Sequence, residues 1–384
     1  MNLWTDETTR LANFPIAREH IFLAHAAVTT FPQCVADAMI AYTTQSTTHQ
    51  QEFDEVLRDI ARTRRACATL LGANHDEIAL LGPTSLGLSL FANGLDWQPG
   101  DEVLCYQDDY PANVYPWLAL ERLGVKLRYL QPEKIGEITP ELVAESLTPQ
   151  TKLVALASCN FLTGYRIDHD AIGRLLHERG ILFSLDAIQT LGAFPTTVEH
   201  VDFLSADAHK WLLGPMAAGI VYVKRIHFEK LRPTLLGAWN IKSPQFITQA
   251  EIQFVDSAQR YEPGVLNTPG IYGMLAAIEM LLEIGIVNVS ARILHLRQRI
   301  ADGVTQLGFQ VLSPMSGPSR SGIVTFHHPE KPTKPFFDVL TKNNVIASHR
   351  FDRSGQDYLR FSPHFYNSDA EIDKVLEILR AESA

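Results

Sequence analysis

Short apolar runs alternate with segments of helical periodicity through the middle of this 384-residue chain. The runs that predict strands lie at residues 78–81, 102–106, 126–130, 153–157, 181–185, 203–205 and 219–223. Helices are predicted at residues 53–71, 84–95, 113–123 and 168–179. Alternation of this kind predicts an α/β fold, in which helices cover both faces of a mostly parallel seven-stranded sheet. The last strand is expected to run back from the loop before it.

The pattern changes at about residue 262, where long helical segments replace the alternation. Predicted helices at residues 268–283, 287–307 and 368–380 surround short strands near residues 322–326 and 358–362. This order is typical of an α+β unit. Because 384 residues are long for a single core, we expect a large α/β domain at residues 20–260 and a small α+β domain that includes residues 261–384.

Charge, hydropathy and cysteine usage limit the partners and the compartment. A formal net charge of −10 argues against nucleic-acid binding, which favours a basic face. The longest apolar stretch, residues 273–289, contains Glu279 and Glu283 and therefore indicates a core helix and no membrane span. The beginning of the chain shows no secretory signal. A reduced, cytoplasmic protein is expected, because no CxxC pair occurs among the widely spaced Cys34, Cys67, Cys105 and Cys159.

Two of the predicted strands are followed by ionisable side chains. Asp186 comes directly after the apolar residues 182–185, and Lys210 follows the strand at residues 203–205. Ligands of parallel sheets bind at the carboxyl ends of the strands, so both side chains are expected at one edge. A lysine there suits a Schiff base with pyridoxal 5'-phosphate (PLP), and an aspartate can keep the pyridine nitrogen protonated. The alternatives are a solvated surface lysine and a helix-capping aspartate.

The motifs Asp186-x-x-Gln189 and His209-Lys210 resemble those of the class V aminotransferase family. That family includes cysteine desulfurases, selenocysteine lyases, kynureninases, isopenicillin N epimerases and some transaminases. The resemblance extends from His25-Ala26-Ala27 to Arg360-Phe361-Ser362-Pro363. It implies fold-type I, PLP as cofactor, and packing of residues 1–19 with the small domain.

The resemblance also implies a set of residues around the cofactor. Lys210 and Asp186 are the implied catalytic residues. Gln189 and Asn160 would contact the phenolic oxygen of PLP, and Asn160 would also contact substrate. Tyr110 would stack on the cofactor ring, where desulfurases have a histidine; an exposed or core tyrosine is the alternative.

The implied phosphate contacts come from the turn at residues 82–87 and from the lysine loop. Thr84 and Ser85 place hydroxyl groups at a helix start, where backbone N–H groups bind anions. A simple Ser/Thr N-cap is the structural alternative. His209 would add a contact, and Asp207, which stands where desulfurases have a serine, is assigned to orienting His209.

The loop at residues 261–270 resembles the family loop that reaches the cofactor phosphate of a partner subunit. Val265 stands where the family commonly has threonine, so either Thr268 or backbone groups alone would make this contact. This loop implies a homodimer with active sites near the interface.

The resemblance implies that Arg360 binds the substrate. Its guanidinium can hold the α-carboxylate of a small amino acid with two parallel hydrogen bonds. His25 could touch substrate, or it could have a capping or core role. By position alone, His349 and Arg350 could contact a side-chain carboxylate or a leaving group. No metal is expected.

The segment before Arg360 lacks the cysteine with which desulfurases make a protein-bound persulfide. We therefore expect C–S bond cleavage of a small amino acid through a Schiff base with PLP, without that persulfide. Transamination and epimerisation stay open. In an epimerase, Tyr110 could reprotonate the substrate carbon from its second face. A cofactor-binding protein without activity is disfavoured because Lys210, Asp186, Gln189 and Arg360 are all present.

Overall fold

The computed structural model describes residues 6–51 and 54–383. Its α-helices are α1 (Glu7–Asn13), α2 (Gln33–Gln45), α3 (Asp54–Leu71), α4 (Thr84–Gly94), α5 (Tyr115–Leu118), α6 (Pro140–Ser146), α7 (His169–Glu178), α8 (Thr268–Ile284), α9 (Ile286–Gln306), α10 (Lys334–Lys342) and α11 (Asp369–Ser383). Its strands are β1 (Ile21–Phe22), β2 (Ile78–Ala79), β3 (Glu102–Cys105), β4 (Lys126–Tyr129), β5 (Thr151–Ala157), β6 (Leu182–Asp186), β7 (Phe203–Asp207), β8 (Gly219–Val223), β9 (Gln310–Val311), β10 (Val324–His327), β11 (Val345–Ile346), β12 (Ser348–Phe351) and β13 (Asp357–Phe361). Phe53, the predicted first residue of α3, and residues 1–5 of the predicted small domain lie outside the described residues.

A seven-stranded sheet carries the first part of the fold, in the order β2-β8-β7-β6-β5-β3-β4. The strands from β4 to β7 in this order are parallel neighbours, whereas β8 is antiparallel to both β7 and β2. Every residue of β3, β7 and β8 is buried, as expected of strands covered on both faces. The prediction of an α/β fold with a mostly parallel sheet is confirmed, and so is the reversed strand at 219–223.

A second sheet is antiparallel, with the strand order β12-β13-β10-β9. Helices α9, α10 and α11 pack against it through an apolar cluster that includes Leu296, Phe336, Phe361 and Leu379. Ile21 of β1 belongs to the same cluster, and β1 pairs in parallel with β11. The C-terminal region is therefore α+β, as expected. The domain boundaries at residues 20 and 261 stay a prediction.

The helix predicted at residues 113–123 is wrong, because the segment is broken into three pieces. A 3₁₀ turn at Pro111–Asn113 is followed by α5, and a second 3₁₀ turn covers Ala119–Leu123. Val114 separates the first two pieces with φ −121° and ψ −53°. Pro116 has no N–H to donate to a preceding turn, so it is accommodated only in the first turn of a new helix.

One of the two central strands extends further than expected. β6 ends at Asp186, as predicted, whereas β7 continues two residues beyond the predicted strand and includes Asp207. The backbone of both residues is thus fixed by strand pairing. The two-residue strands β1, β9 and β11 were not predicted, since two residues carry no periodic signal.

Helix α4 lies unusually close to β7, because Gly87 has no side chain. A Cβ at this position would come within 2.7 Å of Val221 Cγ2 and 2.9 Å of Ser205 Cβ. Ser205 Oγ donates to Thr84 O at 3.0 Å, and Asp207 N donates to Thr84 Oγ1 at 2.8 Å. These contacts fix the first turn of α4 beside the last residues of β7.

Within residues 6–51 and 54–383, no single helix is long and apolar enough to cross a membrane. The helices α8 and α9 pass that test only as a pair, which is bent by 84° between them.

We predict that Gly87→Ala lowers the free energy of unfolding by about 1–3 kcal/mol, because the added methyl group must push α4 away from β7. Ser89→Ala, in the same helix, is the matched control and should change the free energy by less than about 0.5 kcal/mol. Denaturant unfolding monitored by circular dichroism measures both. Equal stability of the Gly87→Ala variant and the parent would contradict the close packing of α4 on β7.

Candidate active site

A cavity of about 400 Å³ opens at the carboxyl edge of the seven-stranded sheet. Its walls come from the loops after several strands, from the first turn of α4, and from the face of β12 and β13. The lining residues are Ala26, Ala27, Val28, Pro83, Thr84, Ser85, Tyr110, Ala112, Phe161, Asp186, Ile188, Gln189, His209, Lys210, Arg350 and Arg360. Sequence elements separated by more than 300 residues therefore meet at one place.

Lys210 lies in the loop after β7 and is only 7% exposed. The loop is held by backbone hydrogen bonds from Thr29 N to His209 O and from Leu213 N to Lys210 O. Lys210 Nζ lies 5.3 Å from the centroid of the Tyr110 ring, a distance at which the ring face attracts a cation. Burial lowers the pKa of Lys210 to about 8, although the charge of Asp186 acts in the opposite direction. Lys210 can therefore exchange a proton close to neutral pH.

Asp186, the last residue of β6, is almost fully buried. Ile188 N donates to its Oδ1 at 3.0 Å. In the part of the chain that the structure describes, its other carboxylate oxygen accepts no hydrogen bond. Burial raises the pKa of this carboxyl, and the Ile188 hydrogen bond and the charge of Lys210 oppose the rise. A cationic N–H group entering the cavity would satisfy the second oxygen.

The start of α4 forms an anion cradle at one end of the cavity. The N-cap residue is Pro83, and no side chain caps the helix, so the alternative of a Ser/Thr N-cap is wrong. Thr84 and Ser85 both line the cavity, and backbone N–H groups at a helix start favour negative charge. The Thr84 hydroxyl already accepts from Asp207 N, which leaves Ser85 as the freer hydroxyl.

Asp207 lies behind His209 rather than in the cavity wall. Its two carboxylate oxygens accept hydrogen bonds from Ala208 N at 2.8 Å and Ala217 N at 3.0 Å. His209 Nδ1 lies 3.0 Å from Asp207 Oδ2, but the two atoms form no hydrogen bond. Asp207 is not among the residues that line the cavity, and its role in orienting His209 stays a prediction.

The side chain of Gln189 is held in place by Trp211, a residue that the sequence did not single out. Trp211 Nε1 donates to Gln189 Oε1 at 2.9 Å, and Gln189 Nε2 donates to Ala26 O at 3.1 Å. One amide hydrogen of Gln189 remains for an acceptor in the cavity. Trp211 directly follows Lys210, and its position in the sequence resembles an ordinary core aromatic, so only the fold reveals its contact.

Arg360, on β13, is 1% exposed and has no carboxylate in ion-pair distance among the residues that the structure describes. One of its terminal nitrogens donates to Phe161 O, and its Nε is buried without any hydrogen-bond partner. Burial lowers the pKa of Arg360 to about 9, and the nearby charge of Arg350 adds to this effect. A buried cation with an unused donor is suited to bind an incoming carboxylate.

Two of the residues expected near substrate or cofactor are engaged elsewhere. His25 is fully buried, with Nδ1 2.9 Å from Ser362 O and Nε2 3.0 Å from the Tyr366 hydroxyl. Asn160 Oδ1 accepts from Thr163 N at 2.9 Å, and Asn160 Nδ2 donates to Asp108 O at 3.1 Å. Neither residue is among those that line the cavity. His25 joins the N-terminal segment to residues 362–366, and Asn160 holds the turn that follows it.

Thr268 also lies outside the cavity lining, at the first turn of α8, where its hydroxyl donates to Leu266 O at 3.4 Å. Its expected contact is to the phosphate of a partner subunit, so that contact stays a prediction.

Tyr110 lines the cavity with its ring half exposed and edge-on to the Phe161 ring, with 5.6 Å between the ring centroids. Among the described residues, no group of His, Cys, Asp or Glu side chains is arranged to hold a metal ion.

The cavity fits PLP on three observations. The uncapped start of α4 suits a phosphate, the free oxygen of Asp186 suits a pyridinium, and Lys210 has no acidic partner within ion-pair distance in the described chain. These groups lie on separate elements that converge on one space. Together they would hold the phosphate, the ring nitrogen and the aldehyde carbon of the cofactor.

Comparisons with known proteins agree with this arrangement. The family model "Aminotransferase class-V" matches residues 21–375. A probable cysteine desulfurase of Pyrococcus abyssi is 26% identical and covers 96% of this chain and 95% of its own. Another, from Methanothermobacter thermautotrophicus, is 27% identical, with 96% of both chains covered.

Solved structures show the same fold. The apo structure of a cysteine desulfurase from Thermococcus onnurineus NA1 has a TM-score of 0.91 at 22% identity, over 98% of each chain. The complex of the cystine C–S lyase C-DES with its product cysteine persulfide has a TM-score of 0.87 at 20% identity, over 96% of this chain and 99% of that one.

The buried charge of Lys210 predicts a pH-dependent stability of the protein freed of cofactor. The pKa of about 8 lies below the ordinary value of 10.5, so the unfolded chain binds the proton more tightly. Lys210 therefore costs stability fully below pH 8, and the cost disappears as the pH rises to about 10.5. Lys210→Met should stabilise the protein by at most about 3 kcal/mol at pH 7 and by nothing above pH 10.5.

Denaturant titrations of parent and variant between pH 7 and 10.5 measure this difference. Lys230→Met removes the same charge from an exposed position and should show no such trend. A difference between Lys210→Met and the parent that does not change with pH would contradict the lowered pKa.

Proposed function

Since the chain belongs to the class V aminotransferase family, whose members are PLP-dependent, we propose that this enzyme cleaves the C–S bond of a small sulfur-containing amino acid. The observation that carries the proposal is the combination of groups in the cavity. Lys210 and Arg360 face the same space, and no cysteine is among the residues that line it. The relatives named above as desulfurases and the cystine C–S lyase support a reaction at sulfur.

The cysteines of this chain are poorly placed for a persulfide. Cys67 and Cys159 are buried, and burial raises the pKa of each thiol to about 12. Burial also raises the pKa of Cys105. Cys34, on α2, is partly buried and contacts Met280 Sδ at 3.8 Å. Because thiolates rather than thiols accept sulfur, the sulfur product is expected to leave in solution.

The proposed chemistry divides among a few side chains. PLP, when bound, draws electrons from the α-carbon of the amino acid and makes its proton acidic. Arg360 binds the α-carboxylate and thereby fixes the orientation of the α-carbon. Lys210 Nζ takes the α-proton as general base, since with a pKa of about 8 it is partly neutral near physiological pH. Asp186 keeps a positive charge on the pyridine nitrogen.

The overall reaction balances as a β-elimination. The α-proton moves to Lys210, the Cβ–S bond breaks, and the sulfur leaves with the bonding electrons. Addition of one water then gives pyruvate and ammonia, together with a thiol from a thioether or a persulfide from a disulfide. Lys210 returns its proton during the cycle, so no external oxidant or reductant is consumed.

We predict that the PLP-loaded enzyme releases pyruvate together with sulfide or persulfide from L-cysteine or L-cystine, and that its visible absorption recovers after turnover. Lys210→Ala should lower kcat by a factor of about 10² to 10⁴, because it removes the general base. Pyruvate, sulfide and absorption are measured in one assay. A lasting change of the cofactor absorption with keto acid but without sulfide would indicate a transaminase, and an inverted amino acid would indicate an epimerase.

We further predict that Cys34→Ala keeps kcat within about twofold of the parent, since Cys34 lies outside the cavity lining. Alkylation of the folded enzyme by a persulfide-specific reagent after turnover should leave all four cysteines unlabelled. Loss of turnover in this variant, or a persulfide found on any of the cysteines, would contradict release of sulfur into solution.

A homodimer with active sites near the interface is the proposed assembly. Glu262 anchors the loop at residues 261–270, since its carboxylate accepts from Leu80 N at 2.7 Å and pairs with Arg64 at 2.5 Å. The loop then flanks, with Gly82 and Leu86, a cavity of about 270 Å³ beside the start of α4. Several apolar side chains of this region are exposed: Leu235, Leu236, Trp239, Phe246, Ile252 and Val265.

A cytoplasmic location is supported by the four free thiols.

Val265→Glu should weaken the dimer at least about tenfold, because an interface that covers Val265, now 76% exposed, would bury an unpaired charge. Val287→Glu is the matched control at another exposed valine, 69% exposed at the start of α9. Light scattering coupled to size-exclusion chromatography measures both masses. A monomeric parent, or a Val265→Glu dimer as tight as the parent, would contradict the proposed interface.

A further inference from the structure

We propose that the substrate carries a second carboxylate at its far end, and that Arg350 binds this group while Arg360 binds the α-carboxylate. The inference rests on the proposed function, because it extends the same site from a cofactor pocket to a substrate class. That class is an α-amino acid with a distal carboxylate, such as L-cystine or a carboxyalkyl thioether of cysteine.

The register of β12 and β13 places both arginines on one face. Ser348 is opposite Arg360, and Arg350 is opposite Tyr358. Because side chains alternate along a strand, Ser348 and Arg350 share a face, and so do Tyr358 and Arg360. Arg350 and Arg360 are therefore diagonal neighbours, a pairing in which residues lie roughly 7–8 Å apart and Cβ atoms somewhat closer. Both line the cavity.

His349 faces the other way and is already engaged. Its Nε2 lies 2.9 Å from Thr333 Oγ1 and 3.1 Å from Asp357 Oδ2, and its ring stacks on Phe337 at 5.7 Å. The sequence offered His349 and Arg350 together as substrate contacts. The strand alternation selects Arg350 alone.

The balance of charge favours an acidic ligand. Three cationic side chains, Lys210, Arg350 and Arg360, line the cavity together with one carboxylate, Asp186. Neither arginine has an ion-pair partner in the described residues, whereas the neighbouring Arg353 pairs with Asp108. The cofactor phosphate has its own cradle at α4, so both guanidinium groups remain for the substrate.

The different burial of the two arginines sets the orientation of the substrate in the cavity. Arg360 is fully buried, whereas Arg350 is half-buried and lies nearer the mouth. An amino acid whose α-carboxylate reaches Arg360 would therefore extend its side chain toward Arg350. A carboxylate there would form a charge-assisted hydrogen bond with a planar donor, and a neutral amide of the same shape would leave Arg350 without an anion.

Binding to the PLP-loaded enzyme, taken from the first change in cofactor absorption before product accumulates, tests the inference separately from turnover. The probes are two isosteric pairs: S-carboxymethyl- and S-carbamoylmethyl-L-cysteine, and L-aspartate and L-asparagine. In the parent, each acid should bind at least tenfold tighter than its amide. Arg350→Met should abolish this preference by weakening the acids, with the amides changed less than about threefold. Arg350→Lys should keep part of the preference, since it keeps the charge.

Two control variants separate the possible failures. Lys342→Met removes a charge from an exposed position on α10 and should leave all four affinities unchanged. Arg360→Met should weaken acids and amides alike, because both have the α-carboxylate. Acids and amides weakened equally by Arg350→Met, or neither weakened, would overturn the role of Arg350 while the proposed function stands. A parent that shows no spectral response to any of the four probes would overturn the proposed function and this inference with it.

Discussion

Two cationic side chains, Lys210 and Arg360, are kept out of water at one edge of a sheet without a carboxylate in ion-pair contact among the described residues. Such burial costs free energy unless a partner is supplied. Lys210 can reduce this cost by losing its proton, because its pKa is lowered, and Arg360 is partly compensated by the carbonyl of Phe161, which accepts from it. The rest of the desolvation cost is offset when an anionic ligand binds. The burial that destabilises the empty site therefore favours binding of an anionic cofactor and an anionic substrate.

The two sheets divide the work of building this site. The seven-stranded sheet supplies Asp186, Lys210 and the start of α4, which are the groups suited to the cofactor. The antiparallel sheet supplies Arg350 and Arg360, which are suited to the substrate. Hydrogen bonds cross between the two regions, from Thr325 Oγ1 to Leu162 O at 2.5 Å and from an Arg166 guanidinium nitrogen to Pro318 O at 2.6 Å. These bonds set the distance between cofactor groups and substrate groups, on which orientation of the α-carbon depends.

The sequence was sufficient for the sheet and for the charged groups at its edge. Asp186, Lys210 and Arg360 stand beside apolar runs, and a charge in that setting indicates a buried site. His25 could not be placed in this way, because its partners Ser362 and Tyr366 lie at distant positions in the chain. Asn160 was expected at the cofactor, but its side chain holds the adjacent turn through Thr163 N and contacts Asp108 O. Choosing Arg350 over His349 required the strand register, and the contact of Trp211 with Gln189 required the fold. The roles of the individual site residues stay predictions.

The most direct test of the account is to find which residue holds the cofactor. The PLP-loaded enzyme is treated with borohydride to fix the cofactor–protein linkage, digested, and sequenced by mass spectrometry. We expect a single reduced pyridoxyl-phosphate adduct on Lys210, the buried lysine of the cavity. An adduct on a different lysine, or an enzyme that takes up PLP without forming any reducible linkage, would contradict the assignment of the active site.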